Sequence, residues 1–219
     1  MAKRMTNRHE YRVSVPSLTE VVLRLNALDR PIMLLEGTRR LPDSDRPLLV
    51  ALGALLAQQL PRTVFRTGGA NGSDDAFAEG VQSVDPARLE YVLPLAGHRS
   101  KTRHSASPAC SMDDLSAIRE TEILAYTGEA SPEYSRLTRM YGEGRRTGAL
   151  AAKTRYLLRD TLKVAGCDGL GLDPASFGCF FVNEADPISG GTGHTIRVCQ
   201  HLRVPFSFQM HWRCWLEAA

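Results

Sequence analysis

Three short stretches of this 219-residue chain combine glycine with hydroxyl and charged side chains. They are Gly37–Thr38–Arg39, then Thr67–Gly68–Gly69–Ala70–Asn71–Gly72–Ser73–Asp74, and Ser189–Gly190–Gly191–Thr192–Gly193. Glycine loses more conformational freedom on folding than other residues, so clusters of it need a reason. One reason is close approach of an anion. A phosphate reaches backbone N–H groups where no Cβ intervenes, and the unpaired N–H groups and partial positive charge of a helix N-terminus attract it. Thr192 and Thr195 add hydroxyl donors, and Arg39 and Arg197 add charge from opposite walls of one cleft. The plainer reason is a tight strand-to-helix turn that needs positive φ. Two such loops, each ahead of a helical pattern, weigh toward a ligand site.

The acids nearby divide in the same way. Asp74, Asp75 and Glu79 follow the second loop. A carboxylate there grips ribose hydroxyls, or it caps a helix and complements its dipole. For Asp74 the two readings stand level, and for Asp75 capping is favoured. Arg159 and Asp160 reach toward the loops from a long helix, or pair only with each other. Glu184 and Asp186 are read as the acids nearest the third loop. Glu184 is therefore the candidate for acid–base work, and Asp186 reads as solvated. His194 reads as structural. The run His98–Arg99–Ser100–Lys101–Thr102–Arg103–His104 reads as a solvated basic loop ahead of a lid or a nucleic-acid contact. Trp212 and Trp215 pack the tail onto the body or another subunit.

These loops must be held by something. Ser17–Leu18–Thr19–Glu20 is a capping box, and Leu18, Val21, Val22, Leu25 and Leu28 keep helical spacing until Pro31. The continuous apolar run at 32–35 predicts a strand buried on both faces. Further strands are expected at 63–65, 89–95, 178–182 and 204–208, with helices at 48–60, 75–81 and 149–164 and another after the third loop. Alternation of strand and helix predicts an α/β, Rossmann-like, doubly wound fold: a mostly parallel sheet with helices on both faces. Its loops gather along the C-terminal edge of the strands, where open α/β sheets bind ligands. Residues 1–16 read as a basic N-terminal arm. Residues 17–219 read as one domain with a polar insertion at about 97–147, which carries short helices around 113–125 and 132–141.

Composition sets outer bounds. Hydrophobic residues make up 43% and charged residues 23%, which is ordinary for a globular chain. No apolar run approaches the ~20 residues of a membrane span, and no secretory leader is read. A net charge of +3 suits an anionic ligand but is too mild to argue for nucleic acid. The five cysteines are scattered and never spaced C-x-x-C, which predicts reduced thiols, no metal site and a cytoplasmic setting.

The three loops, with Glu79–Gly80 and the continuation His194–Thr195–Ile196–Arg197, resemble the SLOG superfamily. That group includes the LOG phosphoribohydrolases, the DprA DNA-processing proteins, and bacterial and phage proteins of the YspA and YpsA types. The match runs from residue 32 to about 208 in order and spacing, and Leu158–Arg159–Asp160 is similar to an Arg–Asn pair in the YspA-like branch. Thr38 and Thr67 stand where that branch has serines. The LOG enzymes carry P-G-G-x-G-T-x-x-E, whose glutamate supports N-glycosidic cleavage; here Ser189 replaces the proline and no glutamate follows. The resemblance implies a Rossmann-like fold and a nucleotide-type ligand without carrying over the hydrolase.

Three functions follow as expectations. The first is binding of a nucleotide or nucleotide-derived small molecule through the glycine-rich loops, with no certain cofactor and with a homo-oligomer allowed. Its site residues are Gly37, Thr38, Arg39, Thr67, Gly68, Gly69, Ala70, Asn71, Gly72, Asp74, Glu79, Arg159, Ser189, Gly190, Gly191, Thr192, Gly193, Thr195 and Arg197. The second is a LOG-like nucleotide N-glycosidase, with Glu184 as its carboxylate. The third is DprA-like DNA binding, which the mild charge disfavours.

Overall fold

The computed structural model describes residues 16–217, so the expected N-terminal arm lies, but for Pro16, outside the described residues. The chain opens with α1 (Leu18–Asn26), whose Ser17–Glu20 capping box is formed in both directions. Then come β1 (Ile32–Gly37), α2 (Arg46–Gln59), β2 (Val64–Thr67), α3 (Ser73–Gln82) and β3 (Leu89–Leu93). Next are β4 (Ala109–Ser111), α4 (Ala117–Ala130), α5 (Ser135–Gly142) and the long α6 (Gly148–Ala165). The chain closes with β5 (Phe177–Phe181), α7 (Gly190–His201), β6 (Phe206–Phe208) and α8 (Gln209–Glu217).

The six strands form one sheet in the order β4-β3-β2-β1-β5-β6, and every neighbouring pair is parallel. β1, β3 and β5 are buried along their whole length, as strands covered on both faces must be. Alternate residues serve the two faces. Met33, Leu35, Phe65, Cys179 and Phe181 join the core under α1, α2, α3 and α8. Leu34 and Phe180 join the core under α7, while Val92 packs with α4, α5 and α6. The fold is thus α/β and Rossmann-like, with helices on both faces.

Two elements escaped the sequence reading. β4 has only three residues, Ala109–Cys110–Ser111, too few to show a period, yet it pairs with β3 from inside the segment read as an insertion. The tail after β6 turns at once into α8. Trp212 is fully buried there, its indole N–H donating to the Phe180 carbonyl at 3.1 Å and its ring set edge-on to Phe77. Trp215 donates to the Pro16 carbonyl at 3.2 Å, so the tail packs against the start of the described chain.

Candidate ligand-binding cleft

The chain builds the sheet outward from β1 through β2, β3 and β4, then returns to place β5 and β6 on the other side of β1. The loops after β1 and β5 therefore leave in opposite directions, and a crevice opens between them, where doubly wound sheets take ligands. A cleft of about 670 Å³ lies there. One wall is the loop after β1, including Thr38, Arg39 and Arg40; the other runs from Asn183 to Thr192; α6 contributes Lys153, Tyr156 and Arg159.

The third loop enters this cleft through the start of α7. No side chain caps that helix, and no acid lies in its first turn. Gly190 takes a positive φ of 64° with open space where a Cβ would stand, and a Cβ on Gly191 would stand 3.2 Å from Asp160 Oδ2. Gly193 is different. A Cβ there would lie 1.9 Å from the Ile188 carbonyl oxygen, so this glycine makes room for the chain's own backbone. The Thr192 hydroxyl donates to the Gly37 carbonyl at 2.9 Å, tying the first and third loops together.

The second loop serves mainly as a buttress. Ala70 and Asp74 line the cleft. Gly68 leaves space for the Arg159 guanidinium, which donates back to the Gly68 carbonyl at 2.8 Å. Gly69 abuts Tyr91, and Gly72 meets the backbone of Thr38 and Arg39. Thr67 accepts from the Gly69 N–H at 3.2 Å, and Asn71 is exposed. Asp74 is buried and accepts from the N–H groups of Gly37 and Ala70, both at 3.1 Å. Its two oxygens thus join two loops and do not wait for a ribose. Arg99, from the run read as a solvated basic loop, pairs with Asp75 at 2.9 Å and donates to the Gly69 carbonyl. Arg103 lies over the Tyr91 ring.

Beneath the cleft lies a cluster of buried charges. Lys163 Nζ stands 2.5 Å from Glu36 Oε1 and 2.8 Å from Asp160 Oδ1, and Arg159 Nε is 2.9 Å from that same Asp160 oxygen. Thr195 donates to Glu36 Oε2 at 3.2 Å. Arg66, paired with Glu90 at 2.6 Å, donates to the Lys163 carbonyl at 2.8 Å and so fixes the last turns of α6 against β2. Burial pushes the Glu36 carboxyl up to about 7, against the pull of Lys163, and it raises Asp74 as well. At Asp160 burial is outweighed by Arg159 and Lys163, which hold its carboxyl below the usual range. Of these three buried carboxyls, Asp160 is the one whose surroundings favour the ionised form.

Glu79, Glu184 and Arg197 are among the expected site residues that do not line the cleft. Glu79 is exposed and pairs with Arg46. Glu184 is exposed, does not line the cleft, and accepts from Gln209 at 3.3 Å. The acid near the third loop is instead Asp160, brought from α6 by the fold, along with the expected Asp186. Arg197 does not face Arg39. Its guanidinium donates to Ser131 Oγ at 2.9 Å and to the Ile188 carbonyl at 2.8 Å, and it pairs with Glu133 at 2.7 Å. The phosphate clamp expected between the two arginines is not formed, because Arg197 lies on the side of α7 that packs toward the Ser131 turn. His194 is structural, as its place in the helix suggested: it is fully buried, bonded to Ser131 and Thr161 at 2.7 and 3.0 Å, and burial lowers its pKa.

Glu36, Lys153, Tyr156 and Lys163 were not read from the sequence as site residues. The signals were present. Glu36 is a charge at the end of an apolar strand, and Lys163 stands one helical turn beyond Arg159 and Asp160. Among the described residues no group of three or more histidine, cysteine, aspartate or glutamate side chains is arranged to hold a metal ion. No helix there is long and apolar enough to cross a membrane.

No family model matches the chain, and no curated protein matches it. Among solved structures it is similar to DNA processing protein A from Helicobacter pylori, a structure described for its single-stranded DNA binding mode, at 14% identity and a TM-score of 0.43. That alignment covers 84% of this chain and 66% of the other, so the chain spans just under two thirds of that protein's length.

Proposed function

We propose that this chain binds a nucleotide or nucleotide-derived ligand in the cleft between the loops after β1 and β5. The observation that carries the reading is the uncapped first turn of α7, opened by Gly190 and Gly191, at the point where the sheet's winding reverses. Free N–H groups there suit a phosphate. Arg39, Arg40 and Lys153 add positive charge from the surrounding wall. Tyr134 and Tyr156 give the cleft aromatic faces. Lys153 and Arg39 lie 4.9 and 5.7 Å from those two rings.

Calorimetry with AMP and ADP-ribose tests this against the Arg39→Ala/Lys153→Ala double variant. Hydrogen bonds to charged groups contribute about 1.5–3 kcal/mol each, so the double variant should bind at least ten- to a hundredfold more weakly. Both side chains are exposed enough to remove without touching the core. Unchanged affinity, or no binding by the parent, refutes the reading. A single-stranded oligonucleotide in the same assay tests the DNA alternative.

Asp160 favours a second reading, cleavage of a base–ribose bond. An ionised carboxylate beside Gly191 is placed where Glu184 is not. Chromatography of AMP incubated with the protein decides it: free adenine that disappears with Asp160→Asn supports cleavage, and intact AMP leaves binding alone.

A further inference from the structure

The polar groups of the cleft are sorted by depth. This inference rests on the nucleotide reading above and assigns the two ends of such a ligand. Asp160 is 3% exposed, and its Oδ1 takes both Arg159 and Lys163. Its Oδ2 accepts no hydrogen bond among the described residues and lies beside Gly191, facing the space that glycine leaves open. Glu36 Oε1 is also buried without a well-aligned hydrogen bond, close as Lys163 is. Three carboxylates (Glu36, Asp74, Asp160) meet two cations (Arg159, Lys163) on this floor. Burial keeps a proton on Glu36, so the remaining charges largely cancel, and both cations are already paired with carboxylates; the floor offers a phosphate no free positive charge. What the floor lacks is a neutral group that donates. Asp74 has spent both oxygens on amides, which leaves Asp160 as the open acceptor. The cations of the cleft that are in no ion pair among the described residues, Arg39, Arg40 and Lys153, stand farther out with the α7 amides. A ligand that fits both zones has an anionic end outside and hydroxyl donors inside.

We propose that the cleft selects ribonucleotides over 2′-deoxyribonucleotides, with Asp160 Oδ2 accepting hydrogen bonds from the ribose hydroxyls. Selection by such a contact is steep, because the deoxy sugar leaves a buried carboxylate oxygen unpaired.

Calorimetry of the whole chain with AMP and 2′-deoxy-AMP, and with ribose 5-phosphate and 2-deoxyribose 5-phosphate, reads this directly. The parent protein should prefer each ribo form by roughly ten- to a hundredfold. Asp160→Asn should shrink that preference while phosphate affinity holds. Gly191→Ala is the second variant, for the event that Asp160→Asn fails to fold by circular dichroism. Its methyl group stands in front of Oδ2 and leaves the carboxylate in place, and it too should shrink the preference. Equal binding of ribo and deoxy forms by the parent overturns the ribose assignment while the nucleotide cleft stands. Binding of neither overturns both. A preference that survives in every folded variant removes Asp160 from the role.

Discussion

Glu36 ends a strand that is otherwise apolar, and its carboxyl holds a proton up to about pH 7 because burial outweighs the attraction of Lys163. Between its ordinary value of 4.5 and about 7, the folded chain keeps a proton that the unfolded chain has released. The stability contributed by this group therefore falls as pH rises through that window. Glu36→Gln imitates the protonated form and cannot lose its hydrogens. Denaturant melts from pH 4.5 to 8 should show the parent losing stability relative to Glu36→Gln across the window, then levelling above it. Asp160 has the opposite sign: its contribution is lost as pH falls below the ordinary carboxylate range, and both proteins share it. A difference between the two proteins that stays flat with pH contradicts the buried proton.

At the scale of elements, the close pairing of α2 with α3 shows what Gly53 and Gly80 are for. A Cβ on Gly80 would lie 2.1 Å from the Val50 carbonyl oxygen, and one on Gly53 would lie 2.4 Å from that of Phe77. Two helices meet there backbone to backbone. Gly80→Ala should destabilise the protein by about 1–3 kcal/mol, the usual cost of overpacking, because a helix backbone cannot step aside as a side chain can. Unchanged midpoints in urea would show that the helices slide apart freely. The second loop follows the same logic, with Gly68 yielding to Arg159. The sequence treated the second and third loops as equals, since both are glycine-rich and both open helices. Only packing separates them: the second is filled by protein side chains and backbone, whereas Gly190 and Gly191 of the third border the cleft.

At the scale of the molecule, α8 closes the face that carries α2 and α3, with Trp212 packed against Phe77 and Phe181. Trp212→Ala should cost about 3–5 kcal/mol, read as a lower unfolding midpoint; a loss under 1 kcal/mol would mean the tail is dispensable. Much of this architecture was legible beforehand. The apolar run at 32–35, the capping box at Ser17 and the alternation of strand and helix are local patterns, and local patterns dictate backbone conformation. A chain that alternates in this way has few options besides a parallel sheet, whose loops then share one edge. The meeting of Gly37–Arg39 with Ser189–Thr192 follows from that alone. What the sequence left undecided was every choice of partner across elements. Asp160 replaces Glu184 beside the third loop, Arg197 turns to Ser131 and Glu133, and Asp74 ties amides together. Each of these depends on how α6 and α7 lie across β1 and β5. That placement is set by side-chain packing between segments far apart in the chain, and no local pattern encodes it.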